Sequence, residues 1–454
     1  MRKKPILITL VCLSLLLTTC IGSAAASSDN DQKSLEKSIA QALTQSGIDL
    51  GKNPTLLSTD NKLLSNNIHE YVYILKVGDG PHDFIGVHRV VKDRLPFVPI
   101  KADKAVMMIP GDSCDFHSAF LLPSDRDRSM AVYLAKNNID VWGIDLRWTF
   151  ITPVTSDFSF MKSWNTDTHL GDIRMGVRFA RTVRALTGSG KGKIFMLGHS
   201  RGAQFVYAYA NNETQLPAGK RDLCGIIPMD MVYKFAPQDQ ALQNAAYARY
   251  QAYKTIYDAG KYYSDDGLQM KVLASLAGIA PDAPSKAVPG MTNMQAALFA
   301  LTSTYATVIP PLQSITPYYH YLAGTFDAAS GLPTGLRYAD PQYIIRQGIA
   351  APPYQSLGEM IDGEALMSDA VDVPYDDHLQ EITIPVLYVG AAGGMGAYGT
   401  YTPTLLGSKD KSTVMVQLEA TGSEALDFGH ADLIWSNNAP SLVWQPIRKW
   451  IQNH

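Results

Sequence analysis

Residues 193–210 read KIFMLGHSRGAQFVYAYA and contain the pattern Gly-x-Ser-x-Gly at their centre. A short apolar run precedes the pattern, and apolar residues with helical spacing follow it. This context predicts a strand, a sharp turn and a helix, with Ser200 held in the turn above the edge of a sheet. We expect Gly198 and Gly202 there because side chains at these positions would collide with the neighbouring strand and helix. Ser200 is therefore the candidate nucleophile.

Similar apolar runs recur on both sides of this segment, which predicts a larger sheet. Near-continuous runs of this kind are typical of strands buried on both faces of a parallel sheet. They lie at residues 105–109, 140–144, 193–197, 223–227, 384–389 and 413–418. Helical patterns at residues 129–137 and 170–186 separate some of them, as in βαβ units. Residues 71–75 and 84–91 predict an antiparallel opening hairpin, and residues 441–451 predict a closing helix.

The alternation of strands and helices stops between residues 230 and 379, where the sequence is rich in Ala, Tyr, Leu and Met at helical spacing. This stretch predicts a large helical cap inserted into a mostly parallel α/β fold with helices on both faces. Its tyrosines could line an apolar cleft or could belong to an ordinary helical core. The predicted organisation is a signal peptide at 1–26, a polar segment at 27–68, a catalytic core at 69–230 and 380–454, and the cap at 231–379.

A serine hydroxyl needs a base to remove its proton, and in this arrangement the base follows the last strand. His430 lies at that place, in residues 427–435 (DFGHADLIW), and is the predicted general base. His199 is next to Ser200 in sequence, but its side chain is expected to point away from the site. The other histidines considered are expected to be surface residues or to contribute only indirectly: His117, His169, His320 and His378.

The histidine needs a carboxylate partner, because the wrong tautomer is costly. An acid usually follows the penultimate strand, but residues 390–399 (GAAGGMGAYG) contain no carboxylate. Asp230 follows the strand at 223–227 directly and can occupy an equivalent position from the next strand. We predict Asp230 as the acid, and Glu419 and Glu424 remain alternatives because they lie near His430 in sequence.

Two backbone N–H groups should stabilise the oxyanion that develops during attack. One comes from the residue after the nucleophile, Arg201. The other comes from the loop after the strand at 105–109, where Gly111 permits a turn and Asp112 or Ser113 would supply the N–H.

These segments carry a resemblance to the acid-lipase branch of the α/β-hydrolase superfamily. The chain resembles that family in residues 133–142 (YLAKNNIDVW), in residues 193–210, and in residues 429–435 (GHADLIW) followed by Ala439-Pro440. The resemblance implies Ser200 as nucleophile and His430 as base. Two features depart from the family: there is no acid after the penultimate strand, and Pro110-Gly111 stands where the family has His-Gly.

The N-terminus predicts export. Residues 1–4 (MRKK) are positive, residues 6–17 form an apolar run too short to span a bilayer comfortably, and residues 24–26 (AAA) offer a cleavage site. We therefore expect a secreted, periplasmic or cell-envelope protein without a membrane span after cleavage. An uncleaved anchor and lipoprotein processing at Cys20 are the alternatives. The two cysteines left, Cys114 and Cys224, should be free and buried, because they lie at opposite ends of parallel strands.

Composition limits the remaining classes of function. The 454 residues are 46% hydrophobic and 18% charged, and the formal net charge is −3, which gives no electrostatic basis for binding nucleic acid. The sequence contains no metal-binding motif, dinucleotide fingerprint or P-loop, so we predict neither a metal nor a cofactor. The expected function is a serine hydrolase of small-molecule esters, apolar or aromatic. An acyltransferase, a peptidase, and a non-catalytic binding protein that retains the fold are the alternatives.

Overall fold

The structure is a computed structural model that describes residues 55–95, 98–122, 125–304 and 315–454. The predicted signal peptide (residues 1–26), Cys20 and most of the predicted polar segment (27–68) lie outside the described residues.

The described residues form one large sheet and two short ribbons. The fourteen strands are β1 (Thr55–Ser65), β2 (Ile68–Lys76), β3 (Phe84–Leu95), β4 (Val98–Pro99), β5 (Ala105–Ile109), β6 (Asp140–Asp145), β7 (Ile194–His199), β8 (Leu223–Met229), β9 (Tyr263–Ser264), β10 (Gly324–Phe326), β11 (Pro333–Leu336), β12 (Gln355–Ser356), β13 (Val386–Ala391) and β14 (Lys411–Val416). The large sheet has the order β1-β2-β3-β6-β5-β7-β8-β13-β14, with β4 paired to β3. The ribbons pair β10 with β11 and β9 with β12.

The sheet is antiparallel at one edge and parallel through the rest. Strands β1, β2 and β3 pair antiparallel, and β3 pairs antiparallel with β6. From β6 through β5, β7, β8, β13 and β14 every neighbouring pair is parallel. Strand β1 lies within the segment predicted to precede the core, so the sheet begins before residue 69. Its mostly polar sequence gave no apolar run, because an edge strand need not be buried on both faces.

Twelve α-helices are described, and most of them surround this sheet or form the insertion. They are α1 (Met130–Lys136), α2 (Thr166–Leu186), α3 (Arg201–Thr214), α4 (Gln240–Asp258), α5 (Asp266–Ile279), α6 (Asn293–Thr302), α7 (Pro341–Ala350), α8 (Leu357–Ser368), α9 (Gly396–Gly399), α10 (Tyr401–Thr404), α11 (Asp432–Trp435) and α12 (Gln445–Asn453).

Alternate residues of the central strands face two separate apolar cores. In β5, Met107 and Ile109 belong to one core, together with residues of α2 and α3. Val106 and Met108 belong to the other core, together with residues of α1 and α12. Because both faces of the strands are covered by helices, their sequences are apolar almost throughout. The near-continuous runs seen in the sequence have this origin.

The segment between β8 and β13 is a largely helical insertion that contains α4 to α8 and the two short ribbons. Tyrosines of α4 pack against Leu357, Met360 and Ile361 of α8. They therefore belong to a helical core, one of the two arrangements considered from the sequence.

The carboxyl ends of the parallel strands meet along one edge of the sheet. Ser200 follows β7, Asp230 follows β8, and the loop 110–116 follows β5. Ligands of open α/β sheets bind outside this edge. Strand β14 ends two residues earlier than predicted, because the Asp427 carboxylate accepts hydrogen bonds from the N–H groups of Leu418 (2.8 Å) and Glu419 (3.1 Å).

Two further features of the described residues are the state of the cysteines and the apolar character of the helices. Within the described ranges, Cys114 and Cys224 carry free thiols, and both are half-buried rather than fully buried as predicted. No helix in this part of the chain combines the length and the apolar character needed to cross a bilayer.

A buried ion cluster joins the sheet to α2. The carboxylate of Asp140 accepts hydrogen bonds from Arg89 (2.9 and 2.8 Å) and from Arg184 (2.8 Å), and all three side chains are almost completely buried. The Asp140→Ala substitution would leave two buried guanidinium groups without their counter-ion. We expect it to lower the free energy of unfolding by about 3–5 kcal/mol in urea titrations.

The matched control is Asp127→Ala, which removes an exposed carboxylate paired with Lys136 at 2.7 Å. An exposed pair of this kind contributes less than about 1 kcal/mol. Equal losses in the two variants would contradict the structural role given to Asp140.

Candidate active site

Ser200 lies in a strained turn between β7 and α3. Its φ is 58° and its ψ is −128°, which is unusual for a residue with a side chain. A Cβ on Gly198 would lie 2.2 Å from the Gly202 carbonyl oxygen, and a Cβ on Gly202 would lie 2.1 Å from the Ile109 carbonyl oxygen. Both positions therefore require glycine, as the sequence pattern predicts, and the turn raises Ser200 above the sheet edge.

His430 and Asp230 are in direct contact. The Nδ1 atom of His430 lies 2.6 Å from Oδ2 of Asp230, and both side chains are at most 1% exposed. Asp230 directly follows β8, while His430 lies in the loop before α11. The carboxylate holds the proton on Nδ1, so Nε2 is left as the basic atom.

The loop after β13 binds the Asp230 carboxylate through its backbone. Oδ1 accepts hydrogen bonds from the N–H groups of Ala391 (2.8 Å) and Gly396 (2.9 Å), and Oδ2 accepts one from Met395 (3.0 Å). Burial alone would raise the pKa of Asp230, but the hydrogen bond and charge of His430 and these N–H donors lower it below the usual value. Asp230 is thus held as a carboxylate.

This contact explains the glycine-rich sequence of that loop. A Cβ on Gly394 would lie only 2.0 Å from Asp230 Oδ2. The segment where an acid was expected instead wraps around an acid from the neighbouring strand, and a side chain at Gly394 would prevent this.

The structure does not place the alternative acids at the histidine ring. Glu419 pairs with Arg337 at 2.8 Å, and Glu424 accepts a hydrogen bond from the Gly422 N–H at 2.9 Å. The carboxylate at Nδ1 of His430 is that of Asp230.

The second ring nitrogen of His430 is buried and has no hydrogen-bond partner among the residues that the structure describes. Ser200 Oγ is not hydrogen-bonded to it in this conformation. Catalytic hydrogen bonds are often long in ligand-free sites and tighten when substrate binds. The structure therefore brings Asp230 and His430 together and leaves Nε2 without a partner.

The loop after β5 passes over the serine. A Cβ on Gly111 would lie 2.7 Å from the Cβ of Ser200 and 3.3 Å from its Oγ. Of the two candidate donors in this loop, Ser113 is already engaged, because its N–H donates to Oε1 of Gln355 at 3.0 Å. The backbone N–H of Asp112 is the donor that remains from this loop, beside that of Arg201.

Side chains fix the relative position of these two donors. The Arg201 guanidinium donates from Nε to Asp112 Oδ1 at 3.1 Å and is largely buried. Gln355 Nε2 donates to the same carboxylate at 2.5 Å and to Glu359 Oε1 at 2.5 Å. Gln355, a residue of the insertion, therefore fixes the position of the loop after β5, and no sequence pattern marks this role.

The prediction that His199 points away from the site is wrong. Its ring lies 4.3 Å from the His430 ring, centroid to centroid, and its Nε2 donates to the His430 carbonyl oxygen at 3.0 Å. Burial lowers the pKa of His199 to about 3, so the ring stays neutral. His199 therefore supports the backbone of His430.

Residues of the insertion flank His430 on another side. The rings of Tyr319 and Tyr321 lie 5.1 and 5.9 Å from the His430 ring. The carbonyl oxygens of His320 and Tyr321 accept hydrogen bonds from the N–H groups of His430 (2.9 Å) and Ala431 (2.7 Å). His320 is therefore a buried structural residue and not a surface one.

The remaining histidines considered from the sequence each contact a glutamate. His169 is buried, with Nε2 2.7 Å from a Glu359 oxygen. His378 is partly exposed and pairs with Glu381 at 3.0 Å. His117 is half-buried and contacts Glu70.

Comparison with known proteins identifies the fold. The chain is similar to a candidate lipase of Sulfolobus solfataricus, with 18% identity, coverage of 88% of this chain and 99% of that one, and a TM-score of 0.58. It also aligns with a soluble variant of yeast monoglyceride lipase (14% identity, 87% and 98% coverage, TM-score 0.49). No protein-family model matches the sequence, and no curated protein matches it. The chain has the α/β-hydrolase fold, so the predicted fold class is confirmed.

The Gly394→Ala substitution tests the packing around Asp230. The added methyl group would displace a carboxylate that is held by four hydrogen bonds. We expect the free energy of unfolding to fall by about 1–3 kcal/mol in urea titrations. The control Gly219→Ala adds a methyl group with no atom within 4 Å. A Gly394→Ala protein as stable as this control would contradict the described geometry.

The His199→Gln substitution tests the buried neutral histidine. Its folded pKa of about 3 lies below the ordinary histidine pKa of about 6.5, so the unfolded chain binds an extra proton as the pH falls below about 6.5. Stability is therefore lost as the pH falls. Between pH 7 and pH 5 the unmodified protein should lose about 2 kcal/mol more than His199→Gln. Unfolding curves at both pH values measure this, and equal losses would refute a buried neutral His199.

Proposed function

We propose that this chain is an exported serine hydrolase that cleaves small carboxylic esters through an acyl-enzyme intermediate. Ser200 is the nucleophile, His430 the general base and Asp230 the acid. The contact between Asp230 Oδ2 and His430 Nδ1 at 2.6 Å carries the proposal, because it leaves the opposite ring nitrogen to act as the base. The fold alone would not support it, since this fold hosts many unrelated functions.

Acylation begins when His430 Nε2 removes the proton of the Ser200 hydroxyl. Ser200 Oγ then attacks the acyl carbon and forms a tetrahedral oxyanion. The negative charge of Asp230 stabilises the imidazolium that results. The three backbone N–H donors on Asp230 keep this carboxylate ionised and fixed.

The oxyanion would be bound by the N–H groups of Arg201 and Asp112. Loss of one such donor typically costs about 10²–10³ in kcat. The ion pair between the Arg201 guanidinium and the Asp112 carboxylate, at 3.1 Å, holds these two residues together before substrate arrives. This arrangement reduces the reorganisation needed in the transition state.

Collapse of the intermediate breaks the ester C–O bond, and His430 gives its proton to the departing alcohol. Water then attacks the acyl-Ser200 ester, with His430 again taking a proton, and the acid leaves as Ser200 is restored. Every proton is transferred through His430 Nε2, which is buried and has no hydrogen-bond partner in the part of the chain that the structure describes.

Aromatic residues of the insertion support an apolar or aromatic substrate. Tyr319 and Tyr321 lie within 6 Å of the His430 ring, centroid to centroid. Flat aromatic faces favour acyl or alcohol groups of the same character.

Export is proposed from the N-terminal sequence alone. The basic residues 1–4, the short apolar run and the cleavage site at residues 24–26 support it. The mature enzyme would act outside the cytoplasm.

Kinetics with p-nitrophenyl esters of increasing chain length test the assignment of the acid. Asp230→Asn keeps the shape of the side chain but favours the wrong tautomer of His430, so we expect kcat to fall by roughly 10⁴-fold. Ser200→Ala should reduce hydrolysis by at least as much, while both variants stay folded by circular dichroism.

Glu424→Gln is the matched control, because it neutralises an acid near His430 in sequence whose carboxylate accepts a hydrogen bond from the Gly422 N–H. Its kcat should remain within about two-fold of the unmodified enzyme. Full activity in Asp230→Asn, or a large loss in Glu424→Gln, would overturn the assignment of the acid.

A further inference from the structure

Three side chains with metal-binding atoms converge on one another, and none of them belongs to the proposed triad. They are Glu70 of β2, His88 of β3 and His117, which begins a short π-helical turn (His117–Leu121). One ligand atom from each lies within 4.8 Å of the others. The group forms no recognisable sequence motif because its residues are separated by irregular intervals, 18 positions from Glu70 to His88 and 47 from Glu70 to His117.

Glu70 Oε1 is the centre of the group. His88 Nδ1 lies 3.0 Å from it, and His117 Nε2 also contacts it. The Glu70 and His88 side chains are almost completely buried, whereas the His117 side chain is 30% exposed. The cluster is therefore mostly shielded from solvent, with an approach for an ion from the His117 side.

The orientation of His88 is set by a carboxylate on its far side. Its Nε2 lies 2.8 Å from Asp145 Oδ2, so this carboxylate accepts the Nε2 proton. In the neutral form of the ring, Nδ1 then carries the lone pair and faces Glu70 Oε1. Metal-binding histidines in proteins are commonly held by a carboxylate in this way.

A lone pair on His88 Nδ1 and an ionised Glu70 oxygen repel each other at 3.0 Å unless a positive charge lies between them. His117 directs a third such atom at the same oxygen. Protons on the imidazoles or one bound cation can supply this charge at Oε1, whereas the Arg126 guanidinium faces the other Glu70 oxygen, Oε2, at 3.8 Å. A cation satisfies all three atoms at once, while each histidine keeps one N–H to donate elsewhere.

We propose that Glu70, His88 and His117 form a binding site for one Zn²⁺ ion, with water as a fourth ligand. Two imidazole nitrogens and one carboxylate oxygen are a ligand set that zinc uses in proteins. In a tetrahedral site with bonds of about 2.0–2.2 Å, ligand atoms are roughly 3.3 Å apart. The observed separation of 3.0 Å between His88 Nδ1 and Glu70 Oε1 requires only a small adjustment to reach that spacing.

The ion would link the sheet to the segment that begins at His117, directly after the loop 110–116. His117 lies one residue after Phe116, whose N–H donates to Asp145 Oδ1 at 2.7 Å. Asp145 therefore contacts both a zinc ligand and the backbone next to His117. Bound zinc would stabilise this segment against local opening, and binding would release protons because the ligands must be deprotonated.

Metal titration of the full-length protein, purified without a polyhistidine tag and dialysed against chelator, tests the site. We expect one Zn²⁺ per chain by calorimetry, a higher Tm with zinc, and the visible absorption of four-coordinate Co²⁺ when cobalt is used instead. His117→Asn should weaken zinc binding by about 100-fold or more, because loss of a partner behind a ligand alone costs 10- to 100-fold.

His378→Asn is the matched control, since His378 also pairs with a glutamate at 3.0 Å but stands outside the three-residue group. It should bind zinc like the unmodified protein. The His117 side chain is partly exposed, so its substitution should disturb folding less than substitution of a buried ligand would. Circular dichroism checks that the variant is folded. Absence of stoichiometric zinc binding by the folded protein would show that protons alone fill the cluster and would overturn the proposal. Equal zinc affinity in His117→Asn and His378→Asn would overturn it as well.

Discussion

The carboxylate of Asp230 is the group around which the candidate site is organised. It lies after β8, is completely buried, and forms the 2.6 Å contact with His430 Nδ1. A buried carboxylate is stable only when its charge is compensated, and here three backbone N–H groups and the imidazole provide this. The loop after β13 can provide them because Gly394 leaves room for the acid. The absence of an acid after β13 and the presence of Asp230 after β8 therefore result from one packing arrangement.

The same principle of close backbone approach governs the nucleophile. A methyl group would collide with neighbouring atoms at each of three glycines, Gly198, Gly202 and Gly111. These contacts hold Ser200 at its positive φ and keep the loop 110–116 packed against it. The insertion completes the arrangement through Gln355, which ties the loop to α8. The geometry of the candidate site thus depends on packing from both the sheet and the insertion.

The sequence predicts those features that arise from local or periodic patterns. The strands β5 to β8 are recognisable because both of their faces are buried, and Ser200 is recognisable because its turn demands flanking glycines. Contacts between distant segments could not be predicted in this way. Gln355 lies 242 positions from Ser113, and nothing in its neighbourhood marks it. His199 was misplaced because its orientation depends on the His430 loop, which reaches it only in the folded chain.

Labelling with a fluorophosphonate, followed by mass spectrometry of the digested protein, shows whether Ser200 is an activated nucleophile. The reagent reacts with a serine only when a neighbouring base activates it, so it reports on Ser200, His430 and Asp230 together. We predict one adduct per chain, located on the peptide that contains Ser200, and its loss in the Ser200→Ala variant. No adduct on the folded protein, or an adduct on another residue that persists in Ser200→Ala, would contradict a serine hydrolase with Ser200 as its nucleophile.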